Sequence, residues 1–150
     1  MPTYYFMVGI PGSGKSTYAA GLGVRVVCPD AIRETLNLSP DSPEGFAIAK
    51  LEIKKALEAG EDVVFDATNT IRQYRAEMID AGKPYANKVV CIWLDVPLEV
   101  CIARHLERVR RGIRTTLPVS VIERMSKQLA ENPPDVAEGF DEIRRIGGEK

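Results

Sequence analysis

The sequence contains no apolar run near the ~20 residues needed to span a bilayer. Its opening, "MPTYYFMVGI", has no basic segment and soon meets glycines, so neither a membrane anchor nor a secretion signal is expected. A cytoplasmic protein is the expectation. Cysteine is scarce: Cys28, Cys91 and Cys101 are odd in number, lack C-x-x-C spacing and lie in or beside apolar segments. They read as buried thiols in a reducing compartment, not as a disulfide framework. Neither charge dominates, with 20 Lys and Arg against 21 Asp and Glu and a formal net charge of -1. A protein that coats nucleic acid is thereby excluded, and any such contact must be local. No repeat, low-complexity tract or linker interrupts the 150 residues, which at 45% hydrophobic suffice for one core and not for two. One domain over residues 1–150 is the expectation.

What is present is an alternation of strand-like and helix-like segments. Residues 3–8, 24–28, 61–66 and 87–95 are short and rich in β-branched and aromatic residues, and 140–146 is a weaker fifth strand. Helical spacing links Phe46, Ala49, Ile53, Ala56 and Leu57, then Ile71, Tyr74, Met78 and Ile79, then Leu98, Ile102, Leu106 and Val109. A last helix near 118–131 opens with Pro118, turns Val121, Ile122, Met125 and Leu129 inward and stops at "NPP". The pattern predicts an α/β fold, a parallel sheet covered by helices on both faces. The turn-rich stretch 37–45, "NLSPDSPEG", is a candidate mobile loop.

Such sheets bind ligands at the carboxyl ends of their strands, so the residues just after each apolar run matter most. After the first strand, "GIPGSGKST" fits G-x-x-x-x-G-K-[ST] with Gly9, Gly14, Lys15 and Ser16. Pro11, Gly12, Ser13, Gly14, Lys15, Ser16 and Thr17 are the candidate phosphate cradle. Glycines let backbone N–H groups close around phosphate oxygens, Lys15 reaches the terminal phosphates, and Ser16 ligates Mg²⁺. After the second strand stands Asp30, which reads either as the cap of the "AIRETL" helix or as a base. After the third, "VVFDATNT" places Asp66, which reads as a holder of the Mg²⁺ water shell, an anchor for a cation, or a cap. Thr68, Asn69 or Thr70 would cap better. Ser16, Asp30 and Asp66 are the candidate metal residues. The run 104–114, "RHLERVRRGIR", sets five arginines against Glu107. Arg104, Arg108 and Arg111 fall on one helical face, opposite the Leu98, Ile102, Leu106, Val109 stripe. The run reads either as a solvated face or as an Arg-rich lid, about 108–117, that closes on phosphates. His105, the single histidine, reads as surface or packing.

The order "GIPGSGKST", "PDAIR", "DATN", "LDVPLEV", "RRGIRTTLP", "VIERMSKQL" resembles the kinase domain of the phage-type polynucleotide 5'-hydroxyl kinases, from about residue 6 to 130. The resemblance implies a P-loop kinase fold with an Arg-rich lid, using ATP or another NTP with Mg²⁺. It implies that Lys15 and Ser16 hold the phosphates and metal and that Asp30 activates an acceptor hydroxyl at a nucleic-acid 5' end. Arg33 would grip the acceptor's phosphate, with Arg108 and Arg111 on the donor phosphates. The family's D-T-N is D-A-T-N in this chain, and the lid helix is about one turn longer, so Arg104 and Arg108 compete for one role. No D-x-D-G-T run marks a phosphatase half, and a stand-alone kinase is expected. The alternatives are a P-loop kinase of a small metabolite, nucleoside or modified DNA base, and an NTP-driven switch. Against the switch stand the lack of N-K-x-D and a length short for an AAA+ module.

Overall fold

The computed structural model describes residues 2–113 and 117–147. The chain runs β1 (Thr3–Val8), α1 (Lys15–Gly21), β2 (Arg25–Val27), α2 (Pro29–Thr35), α3 (Glu44–Glu58), β3 (Val63–Phe65), α4 (Arg72–Gly82), β4 (Lys88–Asp95), α5 (Leu98–Arg110), α6 (Val119–Glu131) and β5 (Glu142–Gly147). Single 3₁₀ turns follow α4 at Lys83–Tyr85 and precede β5 at Val136–Glu138. The five strands form one parallel sheet in the order β2-β3-β1-β4-β5. No helix among the described residues is long and apolar enough to cross a membrane.

Strand alternation divides the core into two layers. Tyr4, Phe6 and Val8 of β1 face α3, α4 and α6, packing with Ile53, Met78, Ile79 and Ile122. Met7, Val64, Val90 and Ile92 face the other way, onto Ala19, Tyr18 and Leu22 of the α1 segment. The strands β1, β3 and β4 are largely buried on both faces, whereas the edge strand β2 leaves Arg25 and Val26 exposed. Gly82 lets α4 close on the sheet, because a Cβ there would lie 2.5 Å from the Tyr4 ring. Tyr4 Oη donates to Met78 O at 2.7 Å, and burial pushes its phenol well above the usual range.

Four expectations about burial and boundaries need correction. Leu106 and Val109 of α5 are about half exposed, and the helix instead turns Leu98, Cys101, Ile102 and His105 inward. Tyr74 of α4 is 60% exposed, and the inward position one residue later is held by Arg75 at 0%. Cys28 is only partly covered, while Cys91 and Cys101 are buried thiols as expected. The stretch 37–45 is not loose throughout: α3 already starts at Glu44, and Ser42 O accepts from Arg33 Nε at 2.9 Å.

Candidate active site

The loop after β1 is built for close approach. Gly12 and Gly14 adopt φ of 89° and 91°, a left-handed backbone that glycine enters without cost. A Cβ on Gly12 would also lie 2.6 Å from Cys101 O, so the loop seats directly on α5. Ser13 N donates to Ile10 O at 3.1 Å and Gly9 N to Thr68 O at 3.0 Å, which ties the loop to itself and to the segment after β3. Ser13 Oγ is buried with no partner. Helix α1 starts at Lys15, directly behind Gly14, and no side chain caps it.

Ser16 Oγ donates to Asp66 Oδ2 at 2.8 Å. Asp66 is 4% exposed, its amide donates to Val27 O at 2.9 Å, and its Oδ1 is buried without a partner. A buried orphan carboxylate oxygen is costly. Paired with a hydroxyl beside a glycine loop, it is the hard oxygen set that Mg²⁺ takes when phosphates and water complete its shell. The residues present fit that ion. Among the described residues no cluster of three or more His, Cys, Asp or Glu forms a metal site made of protein alone.

Asp30 does not cap its helix. α2 begins one residue earlier, at Pro29, behind Cys28, and no side chain caps it. Asp30 is instead a solvent-facing carboxylate, 88% exposed, whose Oδ1 accepts from Arg33 Nη1 at 2.8 Å. Arg33 is not a surface residue either: its side chain is 10% exposed and its guanidinium lies 5.1 Å from the Phe46 ring centroid. Gly45 makes this possible, since a Cβ there would stand 2.7 Å from Arg33 Nε. The Cys28 thiol is pushed up chiefly by burial, opposed by backbone hydrogen bonds and supported by the Asp66 and Asp30 charges. Asp30 follows β2 and Asp66 follows its parallel neighbour β3, so both acids stand at the carboxyl edge of the sheet.

The arginines of α5 divide into different settings. Arg104 Nη1 donates to Gly12 O at 3.0 Å, on the glycine loop itself. Arg104, Arg108 and Arg111 line one open cleft of about 570 Å³ together with Glu99 and Glu107. Arg111 Nε donates to Glu107 Oε2 at 2.9 Å, and Arg110 binds the same carboxylate. The hydrogen bond from Arg110, with that from Arg111, holds Glu107 below the usual carboxylate range. Arg108 makes no ion pair among the described residues. The lid expected at about 108–117 falls partly on residues 114–116, which lie outside the described residues. His105 is 8% exposed and packs inward.

The segment after β3 holds the features that were not foreseen. None of Thr68, Asn69 and Thr70 caps α4, whose N-cap is Ile71 without a side-chain bond. Asn69, at φ 52°, donates to Met7 O at 2.6 Å, and Thr70 Oγ1 donates to Gln128 Oε1 at 2.8 Å. Arg75 binds Glu138 twice, at 2.8 and 3.0 Å, and also donates to Asn69 O and Asn132 O. A clue lay in helical phase, since Ile71, Met78 and Ile79 put position 75 on the inward face.

A family model described as an AAA domain matches residues 5–132. That description runs against the expectation drawn from length. L-seryl-tRNA(Sec) kinase of Methanococcus maripaludis is 28% identical over 130 residues, 79% of this chain and 49% of that protein. A chain in the structure of the Pnkp1/Rnl/Hen1 RNA repair complex matches with a TM-score of 0.78 and 27% identity, over 93% of this chain and 46% of that one. The chain thus spans about half the length of these relatives. Kti12 of Chaetomium thermophilum, in complex with ADP-AlF3, shares the fold with a TM-score of 0.73 at 17% identity, covering 97% and 89% of the two chains. A glycine loop closed by Ser16 and Asp66, set on a 2-3-1-4-5 parallel sheet, is a P-loop kinase-like arrangement, and the chain belongs to the AAA domain family.

Proposed function

We propose that the protein transfers the γ-phosphate of ATP to a hydroxyl, and that the acceptor is the 5'-hydroxyl end of DNA or RNA. The observation that carries this reading is the Asp30–Arg33 pair: an exposed carboxylate, held at 2.8 Å by a buried guanidinium, at the sheet edge that bears the glycine loop and Asp66. A carboxylate fixed in this way can orient an acceptor hydroxyl for in-line attack and take its proton.

In this reading Pro11 to Thr17 cradle the donor phosphates, with Lys15 supplying charge. Ser16 and Asp66 would hold the magnesium ion, which when bound offsets charge on the transferred group. Asp30, whose Oδ1 is already engaged by Arg33, is assigned to the acceptor in preference to the metal. Its carboxylate orients the hydroxyl and takes its proton as the new bond develops, and Arg33 serves the acceptor's phosphate. Arg104, Arg108 and Arg111 neutralise the donor's oxygens. Two relatives carry RNA in their names, an L-seryl-tRNA(Sec) kinase and a chain of an RNA repair complex, which supports a nucleic-acid-linked acceptor.

Incubation with γ-labelled ATP and a panel of 5'-hydroxyl oligonucleotides, nucleosides and sugars tests the reading. Label on the oligonucleotides is the expected result. Label on sugars or metabolites alone would make the protein a small-molecule kinase. Label released only as inorganic phosphate would favour the ATP-driven switch.

A further inference from the structure

A cavity of about 610 Å³ lies between α3, α4, α6 and the segment that follows Asp66. One wall is Phe46, the ring that carries the Arg33 guanidinium, and the facing wall is Ala67–Thr70. The cavity therefore adjoins the candidate site through Phe46, against which Arg33 lies, and through Ala67, the residue after Asp66. Its volume is in the range of small-molecule sites.

The lining chemistry is selective. Ile71, Tyr74, Met78 and Met125 add an apolar and aromatic surface to Phe46. Several polar groups of the wall are committed to one another or to backbone: Thr70 to Gln128, Asn69 to Met7 O, and Lys50 to Glu77 at 3.4 Å. A polyol entering here would lose water hydrogen bonds and regain few. A flat aromatic group would lose little and gain stacking. Phe46 is already in contact with Arg33 and, edge to face, with Phe65, the ring centroids 6.3 Å apart. Tyr74 is 60% exposed and makes no ring contact among the described residues. Arg124, an exposed cation on the same lining, makes no ion pair among the described residues.

We infer that this cavity receives the base of the acceptor, stacked on Tyr74 with Arg124 near the acceptor's phosphates, so that the acceptor is a nucleotide or nucleic-acid end and not a polyol. The inference rests on the phosphoryl-transfer reading above and names the acceptor class of that same site.

Two acceptors that differ only in the base isolate the contact: a nucleoside 3'-phosphate and its abasic counterpart, with the same 5'-hydroxyl and 3'-phosphate. The wild type is expected to favour the nucleotide in kcat/KM by about 5- to 150-fold, the span of base–aromatic stacking. Tyr74→Ala is expected to collapse that ratio and Tyr74→Phe to keep it, with thermal melts confirming that each variant is folded. Equal use of the two acceptors by the wild type, or a ratio that survives Tyr74→Ala, overturns the inference while leaving the kinase intact. Binding of 2-aminopurine riboside 3'-phosphate is read separately by fluorescence quenching. Quenching that needs Tyr74, in a protein that labels no acceptor, supports the base site and removes the kinase reading instead. Transfer without quenching removes the base site alone.

Discussion

Ser16 Oγ donates to Asp66 Oδ2 at 2.8 Å, joining the first turn of α1 to the end of β3, while the second Asp66 oxygen is buried with no partner. An acid left half-satisfied in this way costs the free protein stability, which a bound ligand would offset. Asp66→Asn keeps the shape and removes the charge. Phosphoryl transfer is expected to fall by about 10²-fold or more, with a melting temperature equal to or above that of the wild type. A magnesium titration of activity alongside a melt checks this, and undiminished activity would detach Asp66 from the metal.

For Asp30 the prediction separates chemistry from capping. Asp30 caps nothing but pairs with the buried Arg33 guanidinium, so Asp30→Ala should lower stability by leaving that charge short of a partner, while Asp30→Asn, which keeps an oxygen acceptor, should lower it less. Transfer should drop by about 10² or more with ATP affinity nearly unchanged. Equal turnover in the asparagine variant would end the case for a base at this position.

Gly45 offers a way to move Arg33 without touching it. An alanine in α3 would ordinarily favour the helix by about 1 kcal/mol. At this position its Cβ would stand 2.7 Å from Arg33 Nε and 3.0 Å from Arg33 Cγ. Gly45→Ala is expected to copy the kinetic defect of Arg33→Ala, a loss of about 10- to 150-fold on a nucleoside 3'-phosphate and a smaller loss on the plain nucleoside. Steady-state kinetics on both acceptors in both variants read this directly. A Gly45→Ala enzyme with normal kcat/KM would show that the placement of Arg33 is unimportant.

Arg75 and Glu138 form a closed pair, 0% and 3% exposed, that pins the segment after β3 to the end of α6. Breaking such a pair from one side leaves a buried charge and costs about 3–5 kcal/mol. Glu138→Leu and Arg75→Leu should each destabilise on that scale, and the double variant carrying both should cost less than the sum. Urea unfolding of the two singles and the double forms the cycle. A single substitution that costs under about 1 kcal/mol would mean the pair is not holding the loop.

The Cys91 thiol is pushed up from 9.0 to about 12 by burial, with the Arg75 charge acting the other way. The folded state therefore keeps the neutral thiol where the unfolded chain has begun to lose its proton. The stabilisation is full below pH 9.0 and is lost as pH rises toward about 12, and burial of the Tyr4 phenol acts in the same direction. Stability should fall across that alkaline window, and Cys91→Val should flatten the fall. Chemical denaturation at several pH values measures it. A variant with an alkaline limb as steep as that of the wild type would remove Cys91 as a cause.

Local order carried much of this protein. The glycine loop, Asp30 and Asp66 were legible because each sits a few residues past an apolar strand, and backbone geometry alone brings the carboxyl ends of parallel strands to one edge. The helices were legible from their periodicity, and the five strands from their β-branched runs. Which face each helix buries was less legible. On α5 the apolar residues Leu106 and Val109 suggested one stripe, yet Cys101 and His105 lie inside, because the position of the glycine loop against Cys101 O sets the rotation of the helix. The placement of Arg33 and Arg75 was decided only in the folded chain. Burying a guanidinium needs several partners at once: for Arg33 the helix neighbour Asp30 is joined by Ser42, the bare Cα of Gly45 and Phe46, and for Arg75 Glu138 arrives from 63 residues away. No periodicity encodes the partners from outside the helix, since the desolvation cost of a charge is met by three-dimensional contacts and not by its helix neighbours alone.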